Sequence, residues 1–246
     1  MTAHAAIRKH FESYADHYER DAFDATPGLR HVSARELAIV RHRLPGVDGR
    51  QVVDLGVGTG RFARMLVAGG ADVVGMDFSK EMLRVCARNE PRVRLVHGQL
   101  GTPLPFSDEM FDDVVCIRVI KYVNDWAGAL GEMRRIIRPG GRLLIEVANR
   151  RSAARWGYVH MDVRLETIGH ASSLLQRHGF TITAVDGGTR LPYPVYGWAR
   201  TKARLRGVLI AERMASSIVG PAALARSVIF TCGADPVWRG SRPPVP

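Results

Sequence analysis

Apolar residues along this chain fall into two alternating rhythms. Short unbroken runs rich in Val, Leu and Ile have the length of buried strands and predict them over 51–55, 72–76, 92–96, 111–117, 142–148, 180–185 and 225–232. Between them, apolar positions recur at helical spacing over 4–20, 33–44, 60–68, 80–89, a segment from Asn124 or Asp125 to Ile137, and about 165–178. Ser33 is placed to cap the second of these helices, Pro27-Gly28 reads as a turn, and Arg138-Pro139-Gly140-Gly141 as a hard stop before the fifth strand. Strands alternating with helices predict an α/β fold, a seven-stranded, mostly parallel sheet with helices on both faces.

The same pattern divides the chain. Residues 1–45 predict an N-terminal helical lid, residues 46–235 the main domain, and 236–246 a proline-rich tail. Between the last two strands, 188–224 carries Pro192, Pro194 and Gly197 and then a basic, partly apolar helical pattern, an insertion expected to cover the carboxyl edge of the sheet. Ligands bind at that edge in sheets of this kind.

Candidate chemistry concentrates where the first strand meets the first helix of the sheet. Gly56, Gly58 and Gly60 alternate there, allowing a sharp turn and close approach of backbone to ligand, with the helix N-terminus behind them offering free N–H groups. Asp77 ends the next strand, where a carboxylate accepts both hydrogen bonds from a ribose diol. Two features separate this loop from the pyrophosphate-binding version used by nicotinamide cofactors. Residue 61 is Arg where that spacing requires Gly, and Asp54 stands two residues before the first glycine, a position suited to an ammonium or sulfonium. An NAD-dependent oxidoreductase is therefore the alternative reading, and a non-catalytic module with the same pocket a second.

The stretch DLGVGTG at 54–60, with GMDFSKEML at 75–83, FDDVVCIRVIKYVNDW at 111–126 and LGEMRRIIRPGGRLLIEV at 130–147, resembles the class I S-adenosylmethionine-dependent methyltransferases of the small-molecule type 11 branch. The resemblance covers roughly residues 48–185 and implies a Rossmann-like sheet. It also implies S-adenosylmethionine as methyl donor, Gly56, Gly58 and Gly60 against its methionine part, Asp54 near its amino group, Asp77 on the ribose and Phe78 against adenine. Gln99 and Leu100 would meet the adenine, although relatives commonly carry Asp at the first position. Arg118 would border donor and acceptor.

The acceptor side is less marked. His160 and Lys121 are the candidates for a catalytic base, and Lys121 alternatively binds an acidic group. Tyr14 and Tyr18 share a face of the first helix and are candidate lid residues, and Arg150 follows strand 5 at the ligand edge. Together these suggest a small biosynthetic metabolite, anionic or lipid-like, with O-methylation as the default and no metal.

Composition adds exclusions. The 246 residues carry a net charge of +11, but the basic residues are nearly all arginine and are dispersed, without the aromatic-and-basic stripe of single-strand binders, so nucleic acid is not expected as a partner. The basic insertion leaves peripheral membrane contact as a secondary expectation. Three scattered cysteines and the lack of a signal-like or spanning apolar run predict a cytoplasmic protein, monomeric or homodimeric.

Overall fold

The computed structural model describes residues 3–152, 163–218 and 225–238. Its centre is a seven-stranded sheet in the order β3-β2-β1-β4-β5-β7-β6. The strands are β1 (Gln51–Leu55), β2 (Asp72–Asp77), β3 (Arg94–His97), β4 (Phe111–Cys116), β5 (Ile137–Ala148), β6 (Phe180–Gly187) and β7 (Ser227–Ala234). The first five run parallel, and β7 pairs antiparallel with both β5 and β6. The mostly parallel Rossmann-like sheet expected from the sequence is thus what forms.

Alternate side chains of each strand face opposite layers. Val53, Leu55, Val114, Cys116, Leu143 and Ile145 pack with α5 (Trp126–Ile136) on one face. Val52, Val73, Val115 and Leu144 meet α2 (Pro27–Arg43) and α3 (Arg61–Ala68) on the other. Burial on both faces explains why these strands read as continuous apolar runs. Asp54 shares parity with Val52, so its carboxyl points into the apolar α2–α3 layer.

Two boundaries differ from the sequence expectation. Pro27-Gly28 does not turn the chain: Pro27 occupies the first turn of α2, and the Thr26 hydroxyl caps that helix by accepting from Leu29 N–H at 3.1 Å. Ser33 therefore lies inside the helix. Proline suits a first turn because its missing N–H would have no partner there. Gly28 is required by contact: a Cβ would stand 2.1 Å from the Tyr196 carbonyl oxygen. Arg138–Gly141 likewise does not end the helix before a separate strand. β5 begins at Ile137, opposite Phe111, and the register then shifts so that Arg142 faces Asp113.

The insertion folds as α7 (Tyr193–Trp198) and α8 (Lys202–Ile218). Leu29 and Val32 of α2 pack with Tyr196, Ala199 and Val208. At the N-terminus, α1 (Ala3–Glu19) lies against α4 (Lys80–Asn89), and a single wide helical turn, Arg20–Asp24, joins it to α2 with Phe23 buried. Among the described residues no helix is long and apolar enough to cross a membrane.

Candidate methyl-donor site

The strand order reverses between β1 and β4, and the crevice at their carboxyl ends holds the site. After β1 the backbone enters left-handed conformations at Gly56, Gly58 and Gly60, with φ of 80°, 54° and 88°. Each glycine has a different surrounding. A Cβ on Gly56 would lie 2.2 Å from Val119, one on Gly60 would lie 2.7 Å from the Cys86 sulfur, and one on Gly58 would meet no atom within 4 Å. Gly58 alone of the three opens into free space, and that space is the cavity.

One carboxylate holds this turn and a second lies buried nearby. Gly58 N–H donates to Asp77 Oδ2 at 2.9 Å, and Ser79 N–H donates to Asp77 Oδ1 at 2.9 Å. Burial raises the Asp77 pKa, with the Ser79, Gly58 and Phe78 amides pulling it back. Asp54 is 2% exposed, and its Oδ2 has no hydrogen-bond partner. Burial, then the nearby Asp77 carboxylate, pushes the Asp54 carboxyl up to about 7. A buried carboxyl oxygen without a partner is costly, and an ammonium beside it would remove that cost.

Around the turn lies a cavity of about 630 Å³, open at its mouth, lined by Gly56, Gly58, Asp77, Phe78, Arg118 and Tyr18 among the residues singled out from the sequence. Phe11, Phe23, Phe62, Met82, Ile117, Val119 and Tyr122 complete an aromatic and aliphatic wall. Sequence reasoning passed over most of these. Phe11 stands at helical spacing from Tyr14 and Tyr18 on the same face of α1, but nothing local marks Phe23 or Tyr122. Phe11 stands edge-on to Phe78, with ring centroids 6.0 Å apart, and to Tyr122 at 5.7 Å, so the N-terminal helix closes one side.

A buried charge network adjoins the loop. Arg61, in the first turn of α3, donates from Nη2 to Glu36 Oε2 at 2.5 Å and from Nη1 to the Ser33 hydroxyl at 2.9 Å. Its guanidinium also lies between the rings of Phe23 and Phe62, at 4.1 and 4.3 Å. The other Glu36 oxygen faces Arg118 at 3.7 Å. Coulombic attraction from Arg61 and Arg118 outweighs the larger burial penalty and holds the Glu36 pKa low. Arg118 itself takes φ of 68°, a rare conformation for a residue with a side chain. That backbone carries its guanidinium to Glu36, Phe23 and the Tyr193 ring. Tyr193 in turn donates its hydroxyl hydrogen to the Ala22 carbonyl, tying the insertion to the N-terminal segment.

The other candidates lie elsewhere. Gly60 sits behind the loop as the N-cap of α3. Gln99 accepts from Arg8 at 3.2 Å, and Leu100 is buried in the main core; neither lines the cavity. Tyr14 packs against His10 and Tyr18 outside it. Lys121 is buried next to the lining rather than in it, and desolvation, followed by the Arg118 charge, brings its pKa down to about 7. Arg150 is exposed. His160 lies outside the described residues. Among the described residues no cluster of His, Cys, Asp or Glu is placed to hold a metal.

Left-handed glycines at the end of β1 and a carboxylate ending β2, on this sheet order, match the fold of class I S-adenosylmethionine-dependent methyltransferases. A type 11 methyltransferase-domain model matches residues 53–145 of this chain. A demethylmenaquinone methyltransferase of Renibacterium salmoninarum is 39% identical over 99 residues, covering 40% of this chain and 41% of that one. A ubiquinone biosynthesis O-methyltransferase of Alkalilimnicola ehrlichii is 33% identical over 126 residues, 50% of this chain and 51% of that one. The chain spans about half the length of the curated relatives it matches. Among solved structures, a methyltransferase of Thermotoga maritima described as a possible histamine N-methyltransferase superposes with TM-score 0.67 at 22% identity, covering 93% of this chain and 100% of that one. Magnesium protoporphyrin IX methyltransferase of Synechocystis, with bound S-adenosylmethionine, gives 0.65 at 15% identity, over 96% and 98%. The residues present are compatible with this donor: Asp77 and Phe78 line the cleft, the space beside Gly58 is open, and Asp54 keeps an orphaned buried oxygen outside the lining.

Proposed function

We propose that this protein transfers the methyl group of S-adenosylmethionine to a small biosynthetic metabolite, most simply at a hydroxyl oxygen. The observation that carries the reading is the cleft at the carboxyl end of β1, lined by Gly56, Gly58, Asp77 and Phe78; the buried, unpartnered Oδ2 of Asp54 lies outside that lining. A pyrophosphate cofactor would bring more negative charge to the same place, which disfavours the nicotinamide alternative. When bound, the donor supplies an electrophilic methyl on a sulfonium. In this reading Asp54 would answer the ammonium, Asp77 would hold the ribose diol, Phe78 would lie against the adenine, and Arg118 would border donor and acceptor.

The finer reading concerns the acceptor. The wall of Phe11, Tyr18, Phe23 and Tyr122 suits a flat apolar ring. Quinones appear in the names of two similar proteins, one of them an O-methyltransferase, and a hydroxyl on an aromatic ring is the acceptor we favour. Lys121, buried beside the lining with its pKa brought down to about 7, is the candidate base or anion partner. Aromatic walls favour positioning and exclusion of water as the main sources of rate.

The deciding experiment incubates the protein with isotopically methyl-labelled S-adenosylmethionine and a small-molecule extract, and follows products by mass spectrometry. A compound carrying the labelled methyl supports the reading. Donor binding without any labelled product identifies a module that only holds the donor. A thermal shift produced by NAD and not by S-adenosylmethionine restores the oxidoreductase reading.

A further inference from the structure

Helix α8 has two faces of different character. Leu205, Val208 and Glu212, at i, i+3 and i+7, turn inward. Glu212, the only acid of the helix, accepts backbone N–H bonds from Arg190 and Leu191 at 2.7 and 3.0 Å and the Tyr196 hydroxyl besides. The opposite face carries Ala203, Gly207 and Ile210, with Met214 a turn further on, at i, i+4, i+7 and i+11, all exposed. Ile210 is 58% exposed, and Trp198, just before the helix, is 57% exposed with the Arg204 guanidinium 4.6 Å from its ring centroid.

Cations border this stripe. Lys202, Arg206 and Arg213 run along one margin and Arg204 along the other, and among the described residues no carboxylate lies within salt-bridge distance of any of them. An outward apolar stripe, a cationic margin and an acid turned inward form the charge pattern of a helix that rests on an anionic lipid surface. The stripe is small, so attraction to anionic headgroups must supply much of the binding, which is then reversible and sensitive to salt. A second copy of the chain is a poor occupant, because a symmetric contact would set Arg206 and Arg213 against their own counterparts in a protein of net charge +11.

We propose that the outer face of α8, with Trp198 at its start, docks the protein onto anionic membrane surfaces. This goes beyond methyl transfer and does not rest on it. It has a geometric consequence for the site: α7, joined directly to α8, places Tyr193 against Arg118 at the cavity wall, so the docked helix and the cavity share one structural unit.

The test is co-sedimentation of the full chain with phosphatidylglycerol–phosphatidylcholine vesicles, with phosphatidylcholine vesicles as comparison. We expect pelleting only with the anionic vesicles, release in high salt, and at least a tenfold loss of partitioning in the double variant Arg206→Glu, Arg213→Glu. Ile210→Asp should weaken binding further than salt alone explains. These side chains face solvent, so circular dichroism and S-adenosylmethionine affinity should match the unmodified protein. No binding to anionic vesicles, equal binding to both vesicle types, or binding indifferent to the substitutions overturns the proposal. So does self-association in sedimentation equilibrium that Ile210→Asp abolishes, which would assign the stripe to a second copy.

Discussion

Gly58 N–H and Asp77 Oδ2 lie 2.9 Å apart, so the turn after β1 is tied to the end of β2 by the same carboxylate proposed to hold the ribose. One side chain therefore shapes the loop and faces the ligand. Asp77→Asn keeps the volume and one acceptor oxygen but removes the charge. We expect donor affinity to fall by about 1–3 kcal/mol, the range for hydrogen bonds to charged groups. Titration calorimetry measures it, and unchanged affinity would remove Asp77 from the ribose role.

The glycines of the loop should separate by substitution with alanine. At Gly58 a methyl meets no neighbour, so the cost to the fold is the left-handed backbone alone, about 1–2 kcal/mol, while the group intrudes on the donor. At Gly56 it collides with Val119. We predict that Gly58→Ala keeps a cooperative thermal transition and loses donor binding, whereas Gly56→Ala loses much more stability. Equal thermal midpoints for the two variants would contradict the assigned surroundings.

Asp54 makes stability and donor binding run in opposite directions with pH. Its carboxyl sits at about 7 in the fold, against roughly 4 in an unfolded chain. Between those values the folded state retains a proton that the unfolded chain has released, so this group's contribution to stability declines as pH rises from about 4 to about 7. The ionised form is the one that attracts an ammonium, so donor affinity should rise over the upper part of the same window, with proton release on binding near neutrality. Asp54→Asn should be more heat-stable than the unmodified protein at pH above 7 without donor, and should bind the donor weakly at every pH. Coincident pH profiles for the two proteins would show that this ionisation is not linked to the donor.

Glu36 neutralises two buried guanidinium groups at once. Glu36→Gln removes the carboxylate that Arg61 and Arg118 share, and removal of one partner from a buried ion pair costs about 3–5 kcal/mol. Urea denaturation should show a loss of that size, and a change below about 1 kcal/mol would mean that water already screens the pair.

The sheet, the order of its elements and the glycine loop were legible in the sequence because each is a local signal. Val52–Leu55 is an apolar run, and Gly56, Gly58 and Gly60 mark left-handed turns by their lack of side chains. What escaped was set by contacts distant along the chain. Pro27-Gly28 resembles a turn until α7, some 170 residues later, is seen to lie against it and demand a glycine. Arg61 argued only against a nicotinamide cofactor, yet its partner Glu36 is 25 residues away on a separate helix. Gln99 and Leu100 followed from motif position, but the chain after β3 turns Leu100 into the core and leaves Gln99 to Arg8. Phe23 and Tyr122 reach the cavity through an irregular helical turn and a short 3₁₀ segment, neither of which has a periodic signature.

The placement of β7 between β5 and β6 carries a consequence for how the chain is made. Among the described residues β6 pairs only with β7, and β5 has a bare edge on that side until β7 fills it. During synthesis the strand that joins them leaves the ribosome after both. The nascent domain therefore waits with an open strand edge, a site for unwanted pairing, and two strands are secured together when residues 227–234 emerge. A stop codon shortly before Ser227 would remove one strand from the gene and two from the sheet.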